Sequence, residues 1–109
     1  MAADGEGADG HRWYAPELLR IKGEVLLRQA TEQSALAEDC FHQAAQIARE
    51  QSALFWELRI ALSLARLRVS QGRHHEARAQ LASVYDRFTE GFATADMQAA
   101  RTMLDGLPT

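Results

Sequence analysis

At 109 residues the chain has room for one small domain and none for a second. Its formal charge of −3, from 12 basic against 15 acidic residues, excludes a general attraction for nucleic acid or for an anionic membrane surface. The single cysteine, Cys40, excludes an internal disulfide framework, and no stretch approaches the roughly 18 consecutive apolar residues that a membrane span needs.

The first residues, MAADGEGADG, are acidic and glycine-rich with no apolar run. We expect a flexible leader over 1–12 and a cytoplasmic location. From Ala15 onward the apolar residues recur with helical spacing, and none of the segments alternates as a strand does. Pro16 suits the first turn of a helix, where its missing N–H costs nothing. Leu18, Ile21, Val25 and Leu26 follow on one apolar face, ending near Gln29. The second helix gathers Leu36, Cys40, Phe41, Ala44, Ile47 and Ala48, and fades near Gln51.

The third helix, LFWELRIALSLARLRV, is apolar around more of its circumference than a helix wet on one side would be, so neighbours are expected on both sides of it. Gly72 stops it. Ala77, Leu81, Val84, Tyr85 and Phe88 form the face of a fourth helix. After GFAT, Thr94 is the expected N-cap of a last helix bearing Met97, Ala100, Leu104 and Leu107, which Gly106 and Pro108 end. The fold class is all-α: one domain over 13–107, with hairpin units at about 15–51 and 53–89 and a capping helix at about 94–105.

The second and fourth helices match each other. Placing Ala37 on Ala77 puts Phe41 on Leu81, Ala44 on Val84 and Ala45 on Tyr85, an offset of 40 residues. At a similar offset Glu17-Leu18 falls on Glu57-Leu58, and Gly23 falls near Ser63 or Ala65. A glycine within a helix costs about 1 kcal/mol relative to alanine, so Gly23 calls for a close approach by the paired helix, with Ala44, Ala45 and Ala48 as matching small surfaces.

These two units resemble the tetratricopeptide-repeat family, with repeats nearer 40 residues than its usual ~34. The second unit carries the better match, in Ala65, Gly72 and Glu76-Ala77. The first has Ala30 where the turn glycine belongs, and about two extra connector residues. The resemblance implies a right-handed superhelix fragment. It also implies a concave groove for a peptide, at or near which Arg20, Glu24, Arg59 and Arg66 fall. More narrowly, RWYAPELLRIKGEVLLRQ, AEDCFHQAAQIA and the run from SLARLRVSQG to TMLD are similar to the C-terminal helical-repeat tail of bacterial signalling proteins that join a class III nucleotide cyclase domain to a P-loop ATPase domain. The similarity covers 12–107. It implies a regulatory setting, with adjacent ATPase or cyclase domains as candidate partners. Neither enzymatic domain is in this sequence, which holds no GxxxxGK[ST] phosphate loop.

Two clusters compete as chemical sites. His74 and His75, in SQGRHHEARAQL, diverge by about 100° on a helix rather than sharing a face as i and i+4 ligands do. They read as punctuation between helices. Asp39 and His42 do share a face, but Cys40 falls beside Phe41 on the apolar side, where a free cysteine is a small hydrophobe. The pairs Trp13-Tyr14 and Phe55-Trp56 open equivalent helices and are expected to close the core. We therefore expect no catalytic residue, cofactor or metal.

Solenoid units bury their faces on one another, and about three repeats are typical for stability. The last helix has a polar outer side and reads as a cap. The first has none beyond it, so an exposed stacking edge is expected at Trp13, Tyr14 and Leu18. The function expected is a non-enzymatic protein-interaction scaffold that binds a protein or peptide, as a homodimer or a fragment of a larger protein. The alternative is a self-associating helical protein whose main role is oligomerisation.

Overall fold

The computed structural model describes residues 2–107, with side chains from residue 15 onward apart from that of residue 31. Among the described residues it is built of α1 (Ala2–Gln29), α2 (Ser34–Glu50), α3 (Leu54–Ser70), α4 (His74–Tyr85) and α5 (Ala95–Gly106). A 3-10 turn at Thr31–Gln33 joins α1 to α2, and there is no strand among these residues. The leader expected over 1–12, with the Trp13 and Tyr14 side chains, lies outside the described side chains. Pro16 falls inside α1 rather than in its first turn.

α3 is the centre of the assembly because it is apolar on two sides. Ile60, Leu64 and Leu67 pack with Ala37, Phe41, Ala44, Ala45 and Ala48 of α2, and Leu19, Leu26 and Leu27 of α1 close that cluster. Leu58, Ala61, Leu62 and Ala65 pack the other way, on Ala77 and Leu81 of α4 and Met97, Ala100 and Leu104 of α5. α1 lies chiefly against α2, and α3 against α4. Burying each of these larger side chains stabilises the fold by about 1.5–3 kcal/mol.

Two of the connectors share one geometry. At the end of α2, Ala53 N–H donates to the Ala48 carbonyl at 2.8 Å and Ser52 N–H to that of Arg49 at 3.0 Å. At the end of α3, Arg73 N–H donates to Arg68 at 2.8 Å and Gly72 N–H to Val69 at 3.0 Å. Both are Schellman turns, which need a left-handed residue just past the helix. Gly72 fills that place at φ 78° and Ser52 at φ 55°. The α1–α2 connector has Ala30 in place of such a residue, and the chain leaves α1 through the 3-10 turn, where Gln33 N–H donates to the Ala30 carbonyl at 3.0 Å. Thr94 caps α5 as expected, its Oγ1 accepting from Met97 N–H at 3.3 Å.

The face assigned to α1 from sequence divides in the folded chain. Leu19, Leu26 and Leu27 are the side chains packed on the core, whereas Leu18, Ile21 and Val25 are exposed. The reason lies at Gly23, which is buried against the Phe41 ring. With the helix turned so that Gly23 meets the ring, positions 18, 21 and 25 point away.

Candidate interaction surface

Glu17, Arg20 and Glu24 of α1 are bonded to Arg59 and Ser63 of α3 before any ligand is considered. Arg20 grips Glu17 with two hydrogen bonds, Nε to Oε1 at 2.7 Å and Nη2 to Oε2 at 3.0 Å. Its Nη1 donates to Ser63 Oγ at 3.3 Å, and that hydroxyl, buried in α3, donates in turn to Glu24 Oε2 at 3.0 Å. Arg59 extends the chain. Its Nη1 donates to Glu17 Oε2 at 2.9 Å and its Nε to Asp96 Oδ2 at 3.1 Å. Burial works to raise the Glu17 carboxyl, but the hydrogen bonds and charges of Arg20 and Arg59 outweigh it and hold the group below the usual carboxylate range. The line Ser63–Glu24–Arg20–Glu17–Arg59–Asp96 thus ties α1 to α3 and α3 to α5.

Of the groove residues expected from sequence, Arg20, Glu24 and Arg59 are brought together as members of this network. Arg66 is exposed and has no ion pair or hydrogen bond among the described residues. It faces Arg20, Ile21, Glu24, Val25 and Arg28 across a groove of about 330 Å³. Arg28 and Lys22 are likewise exposed and unpaired among the described residues. The groove therefore carries the free cations Arg28 and Arg66, with aliphatic side chains between them, and its one carboxylate is already bound.

Of the expected stacking edge, Leu18 is 53% exposed, and Trp13 and Tyr14 lie outside the described side chains. Ile21 and Val25, each 44% exposed, belong to the same face and were not singled out by sequence reasoning. Glu17, Ser63 and Asp96 were also missed. The spacing of Glu17 and Arg20 at i, i+3 was the available signal for the first. The cross-helix pairs leave none in a single sequence.

The remaining candidates separate. His42 Nε2 lies 3.4 Å from Glu38 Oε2 on the exposed side of α2, while Cys40 is buried. His74 opens α4 and His75 is exposed beside it. Among the described residues no three histidine, cysteine, aspartate or glutamate side chains are grouped to hold a metal ion. Phe55 does not close the core. It is 43% exposed, whereas Trp56 is partly buried and packs on the core as expected. The Arg59 guanidinium lies over both rings, 5.2 Å from the centre of Phe55 and 5.5 Å from that of Trp56, as a cation–π contact. No helix of the described residues is long and apolar enough to cross a membrane. Comparison of the chain with protein-family models, with curated proteins and with solved structures gave no match.

Proposed function

We propose that the chain is a non-enzymatic protein-interaction module of tetratricopeptide-like hairpins, the regulatory repeat end of a cytoplasmic bacterial signalling protein. The repeat reading is supported by matched burial: Ala37 and Phe41 are fully buried in a cluster with α1 and α3, and their counterparts Ala77 and Leu81 are fully buried in a cluster with α3 and α5. Helices α2 and α4 also begin 40 residues apart, at Ser34 and His74. The signalling setting rests on the sequence similarity alone.

One observation carries the interaction reading. The outer face of α1 presents Leu18, Ile21 and Val25 to solvent, next to a groove with two unpaired guanidinium groups. An apolar stripe rimmed by charge is how a surface waiting for a partner differs from scattered exposed leucines. The same stripe also supports self-association, because two copies could shield it mutually.

Light scattering on a size-exclusion column, over a range of concentrations, separates the two. A monomer that binds an apolar dye, and loses that binding in Leu18→Asp without a change in melting temperature, is the result expected of a module with an open face. A dimer that Leu18→Asp dissolves into folded monomers would replace this reading with self-association.

A further inference from the structure

α3 shows how this chain covers such a face. Its Ile60, Leu64 and Leu67 lie in one cluster with the alanines of α2, and Ser63 between them is held by Arg20 and Glu24 of α1. α1 registers on α3 through the small residue under the partner helix. Gly23 meets Phe41, and Ala65 shares a cluster with Leu81, the counterpart of Phe41. In that register Leu18, Ile21 and Val25 stand where Ile60, Ser63 and Leu67 stand. It is two residues longer than the match of Glu17-Leu18 to Glu57-Leu58, in keeping with the longer α1–α2 connector. The positions that are 1%, 1% and 4% exposed in α3 are 53%, 44% and 44% exposed in α1. The chain therefore covers this face with a helix where it has one to use.

Charge selects the helix that would cover α1. Lys22 and Arg28 flank the stripe and Arg66 stands across the groove, all exposed and all unpaired among the described residues. Glu17 and Glu24, on the same helix, are committed to Arg20, Arg59 and Ser63, and Glu32, four residues past Arg28, lies beyond the helix in the 3-10 turn. A second copy laid α1 on α1 would bring a second set of these cations to the same interface, with no free carboxylate of the described part of α1 to meet them. Head-to-tail stacking is no better served, since the outer side of α5 offers Gln98, Arg101, Thr102 and Asp105, all exposed. Resting on the interaction-module reading, we infer that Leu18, Ile21 and Val25 dock an amphipathic helix of a partner protein whose apolar stripe is flanked by carboxylates. Apolar anchors at i, i+3 and i+7 supply the contact area, and the cations select the partner.

The test titrates the full chain with a designed helical peptide that carries leucines at i, i+3 and i+7 flanked by glutamates. A twin flanked by lysines is run in parallel, and fluorescence anisotropy is the readout. The acidic peptide should bind about tenfold more tightly, the sum of three exposed ion pairs of ordinary strength, and the advantage should shrink with salt. Lys22→Glu combined with Arg28→Glu should reverse the order of the two peptides, and Val25→Asp should weaken both without lowering the melting temperature. Equal binding of the twins would overturn the acidic partner and leave the module reading standing. Binding of neither peptide to a monomeric chain would overturn both. Binding of neither to a chain that dimerises, with the dimer lost in Leu18→Asp, would make a second copy the occupant and overturn the proposal.

Discussion

Gly23 of α1 lies directly under the ring of Phe41 on α2: a Cβ at Gly23 would stand 2.6 Å from Cε1 of that ring. Phe41 is fully buried, so the ring has no open space to move into. The expected close approach is thus real, but a phenyl ring makes it rather than the alanines of α2. Gly23→Ala gains about 1 kcal/mol of helix propensity and forces an overlap that typically costs about 1–3 kcal/mol. We predict net destabilisation of up to about 2 kcal/mol in urea denaturation. Phe41→Leu should be destabilising alone and less so on the Gly23→Ala background, since the second unit pairs leucine at 81 with alanine at 65. Additive effects of the two substitutions would refute the contact.

Ser52 and Gly72 do the same work with different residues. Both stand in the left-handed region, at φ 55° and φ 78°. A serine Cβ is strained there and glycine is not. Ser52→Gly should raise stability by about 0.5–1 kcal/mol, and Gly72→Ala should lower it by about 1 kcal/mol. Nothing lies within 4 Å of a Cβ placed on Gly72, so that loss would be a backbone effect and not a clash. Thermal melts of the two variants shifting in the same direction would refute this account.

The helices were legible because each apolar face has its own period and because Gly72 and Thr94 are local signals with local consequences. The second turn was not legible, since Ser52 carries no mark of a left-handed residue until the bonds from Ser52 and Ala53 are seen. The outer face of α1 was half legible. Leu18 could be placed on an edge from the repeat argument, but Ile21 and Val25 were grouped with Leu26 by spacing alone. Which side of an amphipathic helix packs is decided by its partner, here by one ring over Gly23. The network from Glu17 to Asp96 joins residues far apart in sequence, and arginine and glutamate on a helix surface look the same whether solvated or bridging.

Glu57 is a carboxylate in the first turn of α3 with 4% of its side chain exposed. Arg87, in the connector after α4, reaches both of its oxygens, at 2.8 Å and 3.4 Å. The first turn of a helix also favours a negative charge. Arg87→Ala leaves that carboxylate buried without its cation, and we predict a loss of about 1–3 kcal/mol. Replacing the pair together, as Glu57→Leu with Arg87→Ala, should recover much of the loss, because an apolar side chain in that place has no charge to satisfy. Urea denaturation of the two variants gives the comparison, and a double variant weaker than Arg87→Ala would contradict it.

Glu17 gives the fold a dependence on acid. Arg20 and Arg59 hold its carboxyl below the ordinary range in the folded chain, against the opposing effect of burial. In the unfolded chain the group titrates near the usual value of about 4.3. The folded state therefore binds this proton less readily than the unfolded one. Its contribution is complete above the unfolded value and is lost as the pH falls through the lower folded value. Glu17→Gln removes the negative charge and one of the two oxygens that accept from Arg20 and Arg59, leaving an NH2 group against their donors, and should cost about 1–2 kcal/mol at neutral pH. Measured against the native chain, that deficit should narrow below about pH 4 and be nearly closed once the native carboxyl is protonated. A deficit that stays constant down to the acid transition would mean that Glu17 acts through packing and not through its charge. Arg59 would still hold Asp96 at 3.1 Å in the variant, so α5 should remain docked on α3 while α1 loosens. Hydrogen exchange should then speed up in α1 and leave α5 unchanged.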